Sequence, residues 1–467
     1  MSNLQTLRTA LEHLKAGRFD QCAALCRPLL AADPNDVDAR FFLGVCLGAG
    51  GQLDEAVEHL TTVIQTRPDH IDARRELARM LQAQGLALAN EGQVDEAIGV
   101  FGKAVAADPA NAAARANLGN ALATEGQFED SLAAITDALR LSPADIDINV
   151  NRAVTLLKAG RLPEGWAANE WRHKKPGREK LPPALMLPKL AHLGDLAGRT
   201  IVVYHEEGFG DTIQFLRYAQ LLAEAGARII LWVPQEMVRL MRGQAGIAEV
   251  LTGNVNLPPF DYHCPIISLP YVFDTTVETI PARNSYIQAD AALVADWAAR
   301  LPPGPRVGLV WAGEPRPHDP IAEALDRRRS LPFKMLLPLT VTPGMSFVSL
   351  QMGAARDQIA NGVHDPMGGV KDFADTAAII ANLDAVISVD TAVAHLAGAM
   401  GKPVFLLDRY DNCWRWLHGR ADSPWYPTLM IFRQTQMGEW LGPVTQAAET
   451  LEEFFPMAEG SDEGPDG

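Results

Sequence analysis

Two short stretches of this sequence place chemically capable side chains where a strand would hand over to a helix. Glu206-Glu207-Gly208-Phe209-Gly210-Asp211-Thr212 follows the apolar run IVVY at 201–204. Gly208 and Gly210 suit a sharp turn with close backbone approach to a ligand, and Asp211 suits the cap of the helix that follows. A glycine-containing turn with such a cap also arises for purely structural reasons. It is no dinucleotide fingerprint, because the third glycine is missing. The second stretch is Ser388-Val389-Asp390-Thr391-Ala392-Val393-Ala394-His395. A helix opening here points free N–H groups and the positive end of its dipole at whatever lies above it, which suits phosphate. Asp390 and Thr391 are placed to cap that helix or to meet ligand hydroxyls. His395, one turn in, is placed to donate to a phosphate oxygen, with a core histidine as the structural alternative.

These loops need elements to hold them. From Thr200 onward, short β-branched runs alternate with helical segments, as parallel sheets require. TIVVYHEEGFGDTIQFLRYAQLLAEAGARIILWVP reads as strand, loop, amphipathic helix and strand. A second set runs through RVGLVWAG, MSFVSLQMG, the helix DFADTAAIIANL, the strand DAVISVD, the helix TAVAHLAGAMG and the strand KPVFLL. Two doubly wound lobes with a cleft between them are expected, divided near LPPGP at 301–305. Ligands in such sheets bind beyond the carboxyl ends of the strands, where both loops fall.

The first third is periodic. Gly17, Gly51, Gly92, Gly126 and Gly160 are separated by 34, 41, 34 and 34 residues, and Pro34, Pro68, Pro109 and Pro143 keep the same register. Phe19, Leu53, Val94, Phe128 and Leu162 follow the glycines by two residues, and Cys22, Ala56, Ala97 and Ser131 follow three later. This pattern resembles the tetratricopeptide repeat, about four and a half units over 1–175. The longer interval implies about two extra helical turns near QGLALAN. Such solenoids expose a concave groove for a peptide or partner helix. Asn117 and Asn151, at equivalent positions of successive first helices, are candidate peptide-backbone contacts, with a solvated polar face as the alternative. Cys22 and Cys26 share one helix face and read as core fillers, not metal ligands.

SVDTAVAHLAGAMGKPV resembles the donor-site motif of heptosyltransferase-type enzymes with the two-lobed GT-B fold, and EGFGDTIQFLRY resembles their N-lobe loop. With the upstream repeats, VGLVWAG, the Arg-Ser at 329–330, CWRW at 413–416 and SPWYPTLMIFRQ at 423–434, the chain is similar to bacterial repeat-containing glycosyltransferases. Some of these modify proteins such as flagellin. The resemblance implies a multidomain chain: an all-α tetratricopeptide solenoid at 1–175, a connector at 176–198, and an α/β GT-B fold of two Rossmann-like lobes. These are an acceptor-side lobe at 199–300 and a donor-side lobe at 301–455, followed by a disordered acidic tail at 456–467. It assigns Asp211 as general base, with Glu207, Gly208 and Gly210 in the loop near the acceptor. For the base to work, the cleft must close around it, or Glu206 or Glu207 must raise its basicity. Asp390, Thr391, Ala392 and His395 would hold the donor's sugar and diphosphate, Ala392 standing where glycine is frequent. Trp311 and Gly313 would open the donor lobe, and Arg329 and Ser330 would bind phosphate. A solvated charged run at 326–329 is the alternative for the last pair.

Asp-x-Asp spacings occur only at Asp36/Asp38 and Asp145/Asp147, both in the repeats. The catalytic body would then offset a leaving diphosphate by helix dipole and side chains, with no metal and no cofactor beyond the nucleotide-sugar substrate. Trp414, Trp416, Trp425 and Tyr426 are placed either to stack on a base or sugar or to pin the C-terminal segment across the lobes. The 467 residues, 48% hydrophobic and 21% charged, exclude wholesale disorder, and a formal charge of −16 argues against nucleic acid or an anionic membrane as partner. Five cysteines without a paired motif, no signal-peptide core and no membrane-length apolar run point to the cytoplasm. The expected function is transfer of a sugar from a nucleotide sugar to an acceptor, a flagellin-like protein held by the repeats. A non-catalytic repeat scaffold and a lipopolysaccharide heptosyltransferase are the alternatives.

Overall fold

Glycine spacing becomes helix spacing in the N-terminal part of the chain. The structure, a computed structural model, describes residues 2–177 and 181–456, apart from the side chains of residues 320 and 321. It divides into two compact units, Met1–Thr155 and Leu156–Gly467. The tail expected at 456–467 lies outside the described residues from residue 457 on.

The first unit is all helical. Its helices are α1 (Asn3–Lys15), α2 (Phe19–Ala32), α3 (Val37–Ala49), α4 (Leu53–Thr66), α5 (Ile71–Asn90), α6 (Val94–Ala107), α7 (Ala112–Thr124), α8 (Phe128–Leu141) and most of α9 (Ile146–Lys158). Gly17, Gly51, Gly92, Gly126 and Gly160 all take positive φ, between 69° and 86°, which only glycine adopts without strain. Asp36, His70 and Asn111 start α3, α5 and α7 by accepting the N–H of Ala39, Ala73 and Ala114. The insertion behaves as its length implies, since α5 has 20 residues where α3 and α7 have 13.

Close packing of α3 on α4, α5 on α6 and α7 on α8 depends on a second glycine series. A Cβ on Gly44 would lie 3.0 Å from Leu60, on Gly85 2.6 Å from Phe101, and on Gly119 2.6 Å from Ile135. Cys22, Cys26 and Cys46 are buried in the same core, with the sulfurs of Cys22 and Cys26 4.0 Å apart. Asn117 and Asn151 are half-buried at matching positions of α7 and α9.

The second unit begins with the end of α9 and α10 (Leu162–Asn169). The sheets follow, with β1 (Thr200–Tyr204), α11 (Phe209–Glu224), β2 (Arg228–Trp232), α12 (Gln235–Met241), β3 (Ile247–Leu251) and β4 (Tyr262–Pro265). Next come α13 (Leu269–Val272), α14 (Ala291–Ala298), β5 (Arg306–Val310), α15 (Pro320–Arg329), α16 (Leu337–Thr340), β6 (Ser346–Ser349) and β7 (Val363–His364). The chain ends with α17 (Phe373–Ala381), β8 (Ala385–Val389), α18 (Ala392–Ala399), β9 (Val404–Asp408), β10 (Leu429–Arg433) and α19 (Leu441–Phe454).

Two wholly parallel sheets result, ordered β3-β2-β1-β4 and β10-β9-β8-β5-β6-β7. Every residue of β8 and β9 is buried, as strands covered on both faces must be. This all-helical region followed by an α/β region with two parallel sheets is consistent with the two-lobed GT-B arrangement. In the first sheet the strand order changes direction at β1, in the second between β5 and β8. In open α/β sheets ligands bind at such points, beyond the carboxyl ends of the strands. Among the described residues no helix is long and apolar enough to cross a membrane.

The glycine series yields a paired test. Gly119→Ala should lower the unfolding free energy by about 1–3 kcal/mol through overpacking against Ile135. Gly99→Ala, in α6 with open space around it, should raise it by up to about 1 kcal/mol. Chemical denaturation of the two variants checks both signs.

Candidate active site

The loop after β1 and the loop after β8 meet. A Cβ on Gly210 would lie 2.7 Å from the His395 ring, so glycine is what lets α11 and α18 approach this closely. The sharp turn itself is made elsewhere: Glu207, not a glycine, takes the positive φ of 61°. The cap also differs from expectation. Gly208 is the N-cap of α11 and Asp211 is three residues in, its Oδ2 accepting the Gly208 N–H at 3.0 Å. A residue without a side chain cannot cap itself, so the carboxylate reaches back to do it.

Asp211 is buried, and its Oδ1 accepts two N–H groups of Arg415, from Nε at 3.1 Å and from Nη2. Glu206 carries its own buried ion pair. Its carboxylate is held by buried Arg172, with Nε at 3.1 and 3.2 Å and Nη2 at 2.8 Å. Glu207 is exposed.

On the other side, Thr391 is the N-cap of α18 and its hydroxyl shares a 3.1 Å hydrogen bond with Ser388. Ala392 begins the helix and is half-buried. Burial opposes ionisation of Asp390, but His395 and the guanidinium groups of Arg409, Arg329 and Arg415 outweigh it and hold the carboxyl below its ordinary value. His395 is itself almost fully enclosed. Burial pushes its pKa down to about 4, so the imidazole is neutral at physiological pH. Its Nδ1 shares a 2.9 Å hydrogen bond with the Tyr426 hydroxyl, and its ring stacks on Trp416 at 4.9 Å.

Arg329 and Ser330 are not part of a solvated run, although Arg327 is exposed. Arg329 Nη1 donates to the Asp390 carbonyl at 3.1 Å, while Nε and Nη2 are held by buried Asp326 at 3.0 and 2.8 Å. The Gly313 N–H donates to Ser330 Oγ at 3.0 Å, and any side chain at Gly313 would collide with the Asp326–Arg329 pair. These residues thus knit the loop after β5 to the loop after β8. Trp311 is different. Its indole is fully buried against Phe333 at 4.8 Å, so the side chain belongs to the core.

The aromatic cluster pins the C-terminal segment across the lobes. Trp414 stacks on Phe215 of α11 and meets Trp166 of α10 edge-on at 5.3 Å. Trp425 and Tyr426 flank the Arg217 guanidinium at 5.6 and 5.0 Å.

Three functional candidates escape sequence reasoning. Arg415 sits within the CWRW motif, between tryptophans that draw the eye. Arg409 directly follows β9, so the rule about carboxyl ends of strands points to it. Lys158, which donates to the Asp411 carbonyl at 3.1 Å, leaves no signal because its partner lies 253 residues away. Arg328 also pairs with Asp411, at 3.0 Å. The assembly can accept a proton on a carboxylate, hold an anion with arginines and a helix start, and exclude water with aromatic rings.

Comparison with known proteins agrees with both halves. Residues 7–71, 82–146 and 119–171 match the tetratricopeptide repeat model. Residues 354–440, which carry Asp390, His395, Arg409 and Arg415, match glycosyltransferase family 9 (heptosyltransferase). The chain carries tetratricopeptide repeats and a family 9 domain. It is 32% identical over 334 residues to Protein FlbA of Caulobacter vibrioides, an alignment covering 65% of this chain. The chain spans 54% of that relative's length. Among solved structures, MamA AMB-1 aligns at 25% identity over 39% of this chain and 96% of its own, with a TM-score of 0.33. MamA 41-end from Desulfovibrio magneticus RS-1 aligns at 23% identity over 37% and 93%, with a TM-score of 0.30.

The buried imidazole of the family 9 domain has a measurable consequence. Its folded pKa of about 4 lies below the unfolded value. The unfolded chain therefore binds the extra proton between about pH 6.5 and 4, and the stability present above that window is lost as pH falls through it. Urea titrations should show His395→Gln losing less stability than wild type across this range, by up to about 1.4 kcal/mol per pH unit.

Proposed function

We propose that this chain is a GT-B-type glycosyltransferase that moves a sugar from a nucleotide-sugar donor to a hydroxyl of an acceptor protein held by the repeats. The observation that carries the reading is the meeting of Asp211 with the Asp390–His395 loop and Arg415, within and beside a segment matching a glycosyltransferase family. The acceptor oxygen attacks the anomeric carbon and forms the new glycosidic bond. The bond from that carbon to the diphosphate oxygen breaks, its electron pair leaving with the nucleoside diphosphate. Asp211 takes the hydroxyl proton as general base. The first turn of α18 and nearby arginines meet the charge that develops on the diphosphate, the role a metal ion plays in other transferases.

Donor recognition is assigned to Asp390, Thr391, Ala392, Arg329, Ser330 and the backbone of Trp311 and Gly313. His395, neutral and enclosed, serves chiefly to seat α18 on the Gly210 turn. Asn117 and Asn151 contribute amides to the repeat groove for an extended acceptor segment. Five free thiols suit a reducing compartment, and the cytoplasm is the proposed site of action.

In a strain lacking the gene, re-expression of wild type should restore a sugar mass on at least one protein by intact-mass spectrometry. Asp211→Asn should restore none, while the purified variant still binds the nucleoside diphosphate. Turnover by that variant at the wild-type rate would remove the proposed base. Asn117→Ala combined with Asn151→Ala should raise KM for the protein acceptor several-fold and leave KM for the donor unchanged.

A further inference from the structure

We propose that Arg415 works as a two-position residue: it covers Asp211 until the donor arrives, then swings onto the donor's diphosphate and leaves the carboxylate open to the acceptor hydroxyl. This rests on the nucleotide-sugar reading above and adds an order to it. The donor must bind before the base can act.

Four features point this way. First, the hydrogen bonds of Asp211 leave little room for a substrate. Oδ1 accepts both Nε and Nη2 of Arg415, and Oδ2 accepts the Gly208 N–H at 3.0 Å. With two guanidinium donors on one oxygen, no lone pair of that oxygen is directed at an incoming hydroxyl.

Second, Arg415 is incompletely matched where it stands. Its Nη1 donates to the Cys413 sulfur at 3.0 Å, and burial keeps that thiol protonated, making it a weak acceptor. Phosphate oxygens offer a guanidinium much stronger acceptors. The side chain rests on the Trp414 ring at 4.2 Å, a contact that tolerates a swing across the ring face.

Third, the place it would swing to already contains an unfilled guanidinium. Arg409 is buried, and its Nε and Nη1 find no hydrogen-bond acceptor among the described residues. Asp411 lies within ion-pair distance, 3.2 Å from that Nε, but out of line for a hydrogen bond. Arg409 opens the segment that follows β9, and Cys413, which accepts from Arg415 Nη1, lies four residues further along it. Buried donors without partners are costly unless a ligand or water meets them.

Fourth, His395 is neutral and hydrogen-bonded to Tyr426, and Arg329 spends its donors on Asp326 and the Asp390 carbonyl. Lys158 and Arg328 are engaged by Asp411 and Arg433 by Asp408, so Arg409, with two unmet donors, and Arg415, with its thiol partner, are the cations best placed to follow an arriving diphosphate. In the transfer step the acceptor proton goes to Asp211, and the electron pair of the broken sugar–phosphate bond remains on the nucleoside diphosphate held by these two residues.

The test is calorimetric binding of ADP, GDP, UDP and CDP, and of the corresponding nucleosides, to the full chain and its variants. Because Asp211 competes with the diphosphate for Arg415, Asp211→Asn should bind the preferred diphosphate roughly three- to tenfold more tightly than wild type. Arg415→Gln should bind it about tenfold more weakly or worse, with Arg415→Lys between. The double variant should match Arg415→Gln, and nucleoside affinity should not change in any variant. Asp211→Ser, which likewise removes the negative charge facing Arg415, should behave like Asp211→Asn.

Unchanged or weaker diphosphate binding by the folded Asp211 variants overturns the two-position role. So does tightening that persists without Arg415. Failure of both Asp211 variants to fold, seen in thermal melts, also overturns it, since the pair would then be a structural necessity in every state. If wild type binds none of the four diphosphates, the nucleotide-sugar reading itself falls.

Discussion

The placement of the whole site depends on one buried guanidinium that has no carboxylate partner among the described residues. Arg217, on α11, is 1% exposed. Its Nε donates to the Gln214 carbonyl at 2.8 Å, Nη1 to the Trp425 carbonyl at 2.7 Å, and Nη2 to the Tyr286 hydroxyl at 2.9 Å. Its flat faces rest against Tyr286 at 4.4 Å and Tyr426 at 5.0 Å. An ion taken out of water costs several kcal/mol unless every donor is met, so these partners are obligatory. They come from α11 itself, the segment between α13 and α14, and the segment after β9. Satisfying Arg217 therefore draws 425–426 onto α11, and with it the strip that carries Arg415 and Trp416.

From that constraint the rest of the site follows. Tyr426, fixed by Arg217, holds the His395 ring through its hydroxyl, and Gly398 leaves room for the tyrosine ring 2.7 Å from where a Cβ would stand. His395 in turn lies on Gly210, which sets the distance between the starts of α11 and α18. The loop after β1 is steadied independently by the Arg172–Glu206 pair, which Ser268 and Glu170 extend. A carboxylate on one lobe and a helix start on the other are held face to face by polar contacts that burial makes costly to break.

The electrostatics of the site oppose those of the chain. A net charge of −16 describes the solvated surface, where charges are screened within about 10 Å. Around the carboxyl ends of the second sheet, Lys158, Arg328, Arg329, Arg409, Arg415 and Arg433 gather among Asp326, Asp390, Asp408 and Asp411. Burial pushes the Asp408 carboxyl up to about 6 despite Arg433 beside it. It also lowers the Lys158 ammonium from its usual value, against the pull of Asp411. The carboxyls among these cations offset much of the cost of burying them.

Much of this was legible in the residues alone, for stated reasons. A helical repeat writes its period into the sequence: the glycines of the turns and the insertion that lengthens α5 needed no tertiary information. Strand-to-helix loops are similarly local, which is why Asp211 and the 388–395 stretch stand out. Local reasoning misplaced what depends on neighbours, such as the positive φ at Glu207, the cap at Gly208 and the core position of the Trp311 indole. It could not find Arg172, Lys158, Arg409 or Arg415 as partners, because each is defined by a residue distant in sequence. Arg415 and Asp211 are 204 positions apart. Periodicity and turn chemistry are carried by near neighbours and so belong to the sequence by itself; which charges face one another is decided only by tertiary structure, because burial selects pairs by the cost of leaving them unmatched.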